Sequence, residues 1–250
     1  MSNEIRHILV ISVFPDLINN FINYGILKRG LEKSLLKVES INLREFSDKN
    51  GYVDDKPYGG GPGMILQAKP LIDATRYAKS KLKNYKCIYL SPKGKKVDQK
   101  LITNAAENTN LIIIAGRYEG VDQRFIDLEV DEEWSIGDYI LSGGEVAACV
   151  VIDAIARMIP GVLGHEDSNK LESFSDGYLE HPHYTRPEVV ENLEVPEVLL
   201  SGNHEEIRLW RKQKMLERTL DRRNDLIFNE DSNESMKFRR VNECESYPDW

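Results

Sequence analysis

Cysteine is scarce in this sequence: Cys87, Cys149 and Cys244 are the only three, and no two of them stand as CxxC. An odd number without paired spacing excludes a disulfide framework and a thiolate zinc site, and fits buried free thiols in a reducing compartment. Positive charge is also in deficit, with 33 Lys and Arg against 41 Asp and Glu and a net charge of −8. An evenly basic nucleic-acid binder is thereby excluded, although a local basic patch is not. Long apolar runs are missing too. The longest apolar region, VAACVVIDAIARMIPGVLG at 146–164, is interrupted by Asp153, Arg157 and Pro160, which argues against a membrane span. The first residues, MSNEIRHILVISVF, carry neither a basic flank nor a small-residue cleavage signal, so a cytoplasmic protein without membrane partners is expected.

What is present is enough apolar residue, 41% of 250, for a sizeable core. Short apolar runs, HILVISV at 7–13, CIYLS at 87–91 and LIIIAG at 111–116, read as buried parallel strands. Helical patterns at 16–35 and 69–82 lie between them, which predicts an α/β sheet with covering helices. Ligands in such sheets bind beyond the carboxyl ends of strands, and two candidate loops, SPKG at 91–94 and GRYEG at 116–120, stand there. From about Pro160 the chain turns polar and rich in Gly and Pro, as in a linker or lid. Glu205 to Arg223 follows as an amphipathic helix, and 229–250 as a polar tail expected to be disordered.

Two glycine-rich stretches ask for an explanation. PYGGGPG at 57–63 can be neither helix interior nor central strand. No Gly-Lys-Ser/Thr follows it and its spacing is not GxGxxG, so it serves another ligand or a tight turn. SIGDYILSGGE at 135–145 leads into a helix whose Ala148, Val151, Ile152, Ile155 and Ile159 share one face. Backbone donors therefore gather near a helix N-terminus, a ligand site or simply a strand-turn-helix junction.

PYGGGPGM, YLSPKG, GRYEGVDQR, SIGDYILSGGE, PGVLG, ESFSDG, HPHYTRPE, VPEVLLSGNHEEI and an Arg-rich segment after Trp210 occur in this order. Together they resemble the bacterial tRNA (guanine-N1)-methyltransferases of the SPOUT superfamily, from about Ile8 to Phe228. The resemblance implies methylation, by S-adenosylmethionine, of N1 of the guanosine 3′ of the anticodon, position 37. It also implies a SPOUT-type parallel sheet with a deep trefoil knot, which topology rules would not suggest, and a small, mainly helical C-terminal domain. The corresponding boundaries are 1–161 for the catalytic domain, 162–180 for a linker or lid, 181–228 for a tRNA-binding domain and 229–250 for a flexible tail.

By the same resemblance, Tyr89, Leu90, Ser91, Pro92, Gly116, Ile136, Gly137, Asp138, Tyr139, Ile140, Leu141, Gly143 and Gly144 surround the cofactor. Asp54, Gly63, Arg117 and Glu119 fall on the substrate side, so that PYGGGPG admits a flipped base rather than a phosphate. Guanine N1 carries a proton near neutral pH, and a base must remove it as the methyl group arrives. The family pattern puts that base at Glu172, where many relatives carry aspartate; Asp176 is the alternative. Arg157 matches the position that stabilises guanine O6, while its i,i+4 relation to Asp153 would also suit a plain helix ion pair.

RNA binding is compatible with the net charge because charge is segregated. Between Ile207 and Arg223, Arg208, Arg211, Lys212, Lys214, Arg218, Arg222 and Arg223 face only Glu217 and Asp221. Arg211 and Lys214 on this helix, with His183 and Arg186 of HPHYTRPE, are the candidate tRNA contacts. His181 and His183 alone make no metal site, and a Mg²⁺ requirement stays open. The family further implies a homodimer in which the linker and C-terminal domain of one subunit complete the tRNA site of the other. The segment 162–180 is expected to order only when cofactor and RNA are both bound.

Overall fold

The structure is a computed structural model that describes residues 5–48, 50–108, 110–163, 172–174 and 177–228. It forms two compact units, residues 1–169 and 170–250.

The first unit is built on strands β1 (Arg6–Ser12), β2 (Leu36–Asn42), β5 (Tyr85–Lys96), β6 (Asn110–Ala115) and β7 (Glu132–Ser135). They form one five-stranded sheet in the order β2-β1-β6-β5-β7, parallel throughout. Its helices are α1 (Pro15–Phe21), α2 (Gly25–Glu32), α3 (Ala68–Lys81), α4 (Gln99–Asn108), α5 (Gln123–Glu129) and α6 (Gly144–Met158). A two-residue antiparallel pair, β3 (Asp54–Asp55) and β4 (Ile65–Leu66), stands apart from the sheet.

The apolar runs become buried strands because both faces of the sheet are covered. Ile8, Val10, Ile88, Leu90 and Ile113 point to one side and pack with Ile18, Leu27, Ile102, Val151, Ile152 and Ile155 of α1, α2, α4 and α6. Leu9, Ile11, Cys87, Ile112 and Ile114 point to the other and pack with Leu71, Ala74, Ala78 and Phe125 of α3 and α5. This is the period-2 alternation of strands applied to two hydrophobic layers at once. Each fully buried Ile or Leu contributes about 1.5–3 kcal/mol relative to exposure, so the unit carries its own core. Cys87 and Cys149 are buried free thiols within it; burial pushes the Cys87 thiol up to about 12.

Two expectations are refined. The pattern at 16–35 is two helices, because the chain turns at Ile22–Tyr24 and restarts at Gly25 with φ +61°. SPKG is not simply a loop after a strand: β5 runs on to Lys96 through a bulge in which Leu90 and Lys95 both pair with Trp134.

The second unit holds a small hairpin, β8 (Val189–Val190) with β9 (Leu193–Glu194), then α7 (Glu197–Leu200) and α8 (His204–Arg222). Glu191 and Asn192 turn the hairpin with positive φ, as two-residue hairpin loops require. Asn203 caps α8, its side-chain oxygen accepting from the Glu206 amide at 3.3 Å. Glu205 and Glu206 in the first turn and Arg222 in the last complement the helix dipole. Among the described residues of this unit, Thr219 alone is fully buried.

Candidate active site

Three connections meet at the carboxyl end of the sheet. Tyr89, Leu90 and Ser91 are buried at the end of the regular part of β5, and beyond them the bulge extrudes Pro92 to Gly94. Burial, with the nearby Glu133 charge, pushes the Tyr89 phenol up to about 12, so it stays neutral. Gly116 ends β6 against the Tyr89 ring, which a Cβ at 116 would approach to 2.8 Å. The Gly144 amide, opening α6, donates to the Gly116 carbonyl at 2.7 Å, and Arg117 forms an antiparallel bridge with Gly143. A Cβ on Gly144 would lie 2.8 Å from the Ala115 Cα and 2.9 Å from the Gly116 nitrogen. Glycine is needed here for close backbone approach.

The loop from β7 to α6 is pinned at its start. The Ser135 hydroxyl accepts from the Gly137 amide at 3.2 Å and donates to the Gly137 carbonyl at 3.1 Å. Beyond this clip Tyr139, Ile140 and Leu141 are exposed, Ile140 by 82%. Backbone polar groups and outward apolar side chains beside the buried Tyr89–Ser91 wall suit a ligand that is part aromatic and part polar. The thirteen residues assigned to the cofactor from sequence thus lie on these three connections.

PYGGGPG forms the tip of the β3–β4 hairpin. Gly59, Gly60 and Gly61 all have positive φ and would meet no atom within 4 Å with a Cβ, so conformation rather than crowding calls for glycine. Gly63 differs: a Cβ there would come within 2.5 Å of Glu119 Cγ. The hairpin docks on GRYEG through Glu119 N to Met64 O at 2.9 Å, Leu66 N to Gly120 O at 3.0 Å and Asp122 N to Leu66 O at 3.0 Å. Asp54 pairs with Leu66 in the same hairpin. Asp54, Gly63, Arg117 and Glu119 are therefore parts of one hydrogen-bonded assembly, which Arg117 joins to the turn at Ser142–Gly143.

Arg117 joins the two parts. Its Nε donates to Glu145 Oε2 at 2.8 Å, its Nη1 to the Ser142 carbonyl at 3.2 Å, and its guanidinium lies 4.7 Å from the centre of the Phe14 ring. Glu145 is completely buried, and its other oxygen accepts from the Ser12 hydroxyl at 2.8 Å. Sequence reasoning passed over Ser12, Phe14 and Glu145. The only available signal was position: Ser12 and Phe14 end an apolar run, and Glu145 closes SIGDYILSGGE.

Arg157 is not part of this cluster. Thirteen residues of helix at about 1.5 Å each put it about 20 Å along α6 from Gly144, beyond the reach of one side chain. Glu172 belongs to the second unit. There Ser173 Oγ accepts from the Glu180 amide at 3.0 Å, and Phe174 N donates to Tyr178 O at 2.8 Å. Thr219 Oγ1 of α8 accepts from Leu179 N at 2.8 Å, Arg218 reaches the Glu180 carbonyl at 3.3 Å, and Arg223 lies 5.8 Å from the Phe174 ring centre. The stretch bearing Glu172 is thus tied to the basic helix. Asp176 lies outside the described residues, as do most of 162–180 and all of 229–250 with Cys244.

On the same unit, His183 contacts Glu180 and its ring lies 4.4 Å from that of His181, tilted by 44°, while the Tyr184 and Trp210 rings lie 6.4 Å apart. Burial, with the positive charge of Arg211 nearby, holds the His181 pKa below its ordinary value. Arg186 and Arg211 are exposed, and Lys214 pairs with Glu217 at 2.7 Å. Among the described residues there is no group of three or more potential metal ligands, and no helix is long and apolar enough to cross a membrane.

Residues 6–229 match the family described as tRNA (Guanine-1)-methyltransferase TrmD. The chain is 50% identical, over 91% of its length and 87% of the relative's, to a tRNA (guanine-N(1)-)-methyltransferase of Buchnera aphidicola subsp. Schizaphis graminum. It is 52% identical to a protein of that name from Shewanella sp. (strain W3-18-1), over 88% of this chain and 90% of the other. A third, from Salmonella newport (strain SL254), is 53% identical over 88% of this chain and 87% of its own.

Proposed function

The chain belongs to the tRNA (guanine-1)-methyltransferase family, and from that premise we propose that it methylates N1 of the guanosine 3′ of the anticodon, position 37, in tRNA. The observation that carries the reading is the meeting of the three strand-end connections at Gly116, Arg117, Gly143 and Gly144. S-adenosylmethionine is the methyl donor of this reading, held by Tyr89 to Pro92, Gly116, Ile136 to Leu141, Gly143 and Gly144. Bound there, it supplies a methyl group on a positively charged sulfur.

The chain's own residues then have to do three things. The hairpin carrying Asp54 and Gly63, with Arg117 and Glu119, positions the guanine. Glu172 takes the N1 proton, so that the nitrogen lone pair is free to accept the methyl group. Arg157 donates to O6, where negative charge grows as the proton leaves; such a donor is worth about 3–4 kcal/mol in the transition state. His183, Arg186, Arg211 and Lys214 hold the tRNA by stacking and phosphate contacts.

The protein acts as a homodimer in this reading. Two features favour it: Arg157 lies about 20 Å along its helix from the loops of its own chain, and α1, the turn before α2, and α6 expose Phe21, Tyr24, Val146 and Val150. A second copy would cover these apolar side chains and bring its own Arg157 to the site. The SPOUT knot, the 1–161, 162–180 and 181–228 division and a cytoplasmic location complete the reading. Incubating the protein with labelled S-adenosylmethionine and unmodified tRNA, then mapping the methylated nucleotide, tests it. Label anywhere but N1 of that guanosine rejects it.

A further inference from the structure

Glu145 is fully buried at the start of α6, and both its oxygens are used: one by Ser12 Oγ at 2.8 Å, the other by Arg117 Nε at 2.8 Å. The contacts close a circuit. The Phe14 amide donates to Ser12 Oγ at 2.8 Å, which leaves the hydroxyl proton for Glu145. Arg117, gripped by Glu145, lies over the Phe14 ring and donates onward to the Ser142 carbonyl. Its side chain also fills the space that Gly143 leaves open, since a Cβ there would be 2.3 Å from Nε and 2.6 Å from Cδ. Ser12 and Glu145 are 133 residues apart, and the circuit ties the end of β1 to the turn that closes the loop before α6. A core ion pair adds little stability over apolar packing, whereas it can fix one geometry.

We propose that Glu145 and Ser12 are positioning residues that act through Arg117, holding the Ser142–Gly143 turn in the shape that binds the methyl donor. The inference rests on the reading of 136–144 as the cofactor loop. Neither residue is assigned to substrate or donor; their effect passes through the guanidinium that joins the loop to the end of β1. They therefore control donor affinity and leave the RNA-binding helix unaffected.

Full-length Glu145→Gln, Ser12→Ala, Arg117→Ala and the double variant Glu145→Gln/Arg117→Ala are compared by calorimetry with S-adenosylmethionine and by filter binding with tRNA. Glu145→Gln keeps the shape and loses the charge, so donor Kd should rise about tenfold, as for loss of one charge-assisted bond, with tRNA Kd within about twofold. Arg117→Ala should raise donor Kd by as much, any loss of its guanine contact being read separately in the tRNA assay, and the double variant should bind the donor no worse than Arg117→Ala by more than about twofold, the non-additivity of residues acting as one. Additive losses, or a wild-type donor Kd in either single variant, would overturn the proposal. Ser12→Ala retains the ion pair and serves as the second probe should Glu145→Gln fail to fold; its donor Kd should rise about threefold, roughly half of a charge-assisted bond, and no change would overturn the part assigned to Ser12. A wild-type chain that binds no donor would bring down the functional reading itself, a result distinct from any pattern among the variants.

Discussion

The two units position the residues proposed for function by different means. In the first, a sheet packed on both faces leaves little freedom at its carboxyl end, and glycines let backbone segments meet there. In the second, Thr219 is the one fully buried residue among those described, and the segment bearing Glu172 is held to α8 by single hydrogen bonds and by an arginine over an aromatic ring. A recognition surface for a small molecule is best fixed by a core. A surface for a large polyanion has to adapt, and charge acts over longer distances than packing does. The contrast suggests that affinity for the donor and the methylation step with tRNA are separable by mutation.

The strongest break comes from the proposed base. Glu172→Gln should lower single-turnover methyl transfer by about 10²–10⁴-fold, the usual weight of a general base, while calorimetry finds donor Kd within about twofold of wild type. A rate near wild type would move the proton acceptor to Asp176 or water. Next is a change confined to the first unit. Gly144→Ala puts a methyl group 2.8 Å from the Ala115 Cα, and neither backbone can withdraw without disturbing β6. Urea titration should show a loss of about 1–3 kcal/mol, typical of overpacking, and donor binding should weaken with tRNA affinity unchanged.

Charge reversal at Arg211 should do the opposite, weakening tRNA binding and lowering the slope of log K against log salt by about 0.9 per lost phosphate contact. Donor affinity should stay constant; a salt-independent loss would mean that Arg211 supports folding rather than phosphate binding. The smallest effect is expected from Thr219→Val, which preserves volume but removes the acceptor for the Leu179 amide. Hydrogen exchange at Leu179 should quicken about fivefold to thirtyfold, the equivalent of one hydrogen bond of about 1–2 kcal/mol, with the sheet amides unaffected. Equal acceleration in the sheet would show that the two units open together.

Where the sequence was legible follows the same division. Continuous apolar runs announced β1, β5 and β6, and the 3.6-residue period announced α3, α6 and α8, since burial imprints itself on consecutive residues. β7 went unrecognised because EEWS has two acids in four residues; Trp134 is buried, yet Glu132 takes the indole N–H and pairs with Lys86. β2, LKVESIN, shows a broken alternation that suits an edge strand and little else. Motifs marked the loops of the proposed site but not what braces them. Ser12, Arg117 and Glu145 meet only after the chain has folded, and no local pattern records a contact across 133 residues.

The three glycines at the hairpin tip have a consequence of their own. Gly59, Gly60 and Gly61 stand in open space, so size does not restrict them; handedness does. Their backbone is that of a mirror-image chain, which L-residues adopt singly and at a cost and glycine adopts freely. A semisynthetic protein with D-alanine at all three positions should therefore accept side chains where three L-residues in a row would be strained, and the loop would lose conformers open to glycine without losing the one it needs.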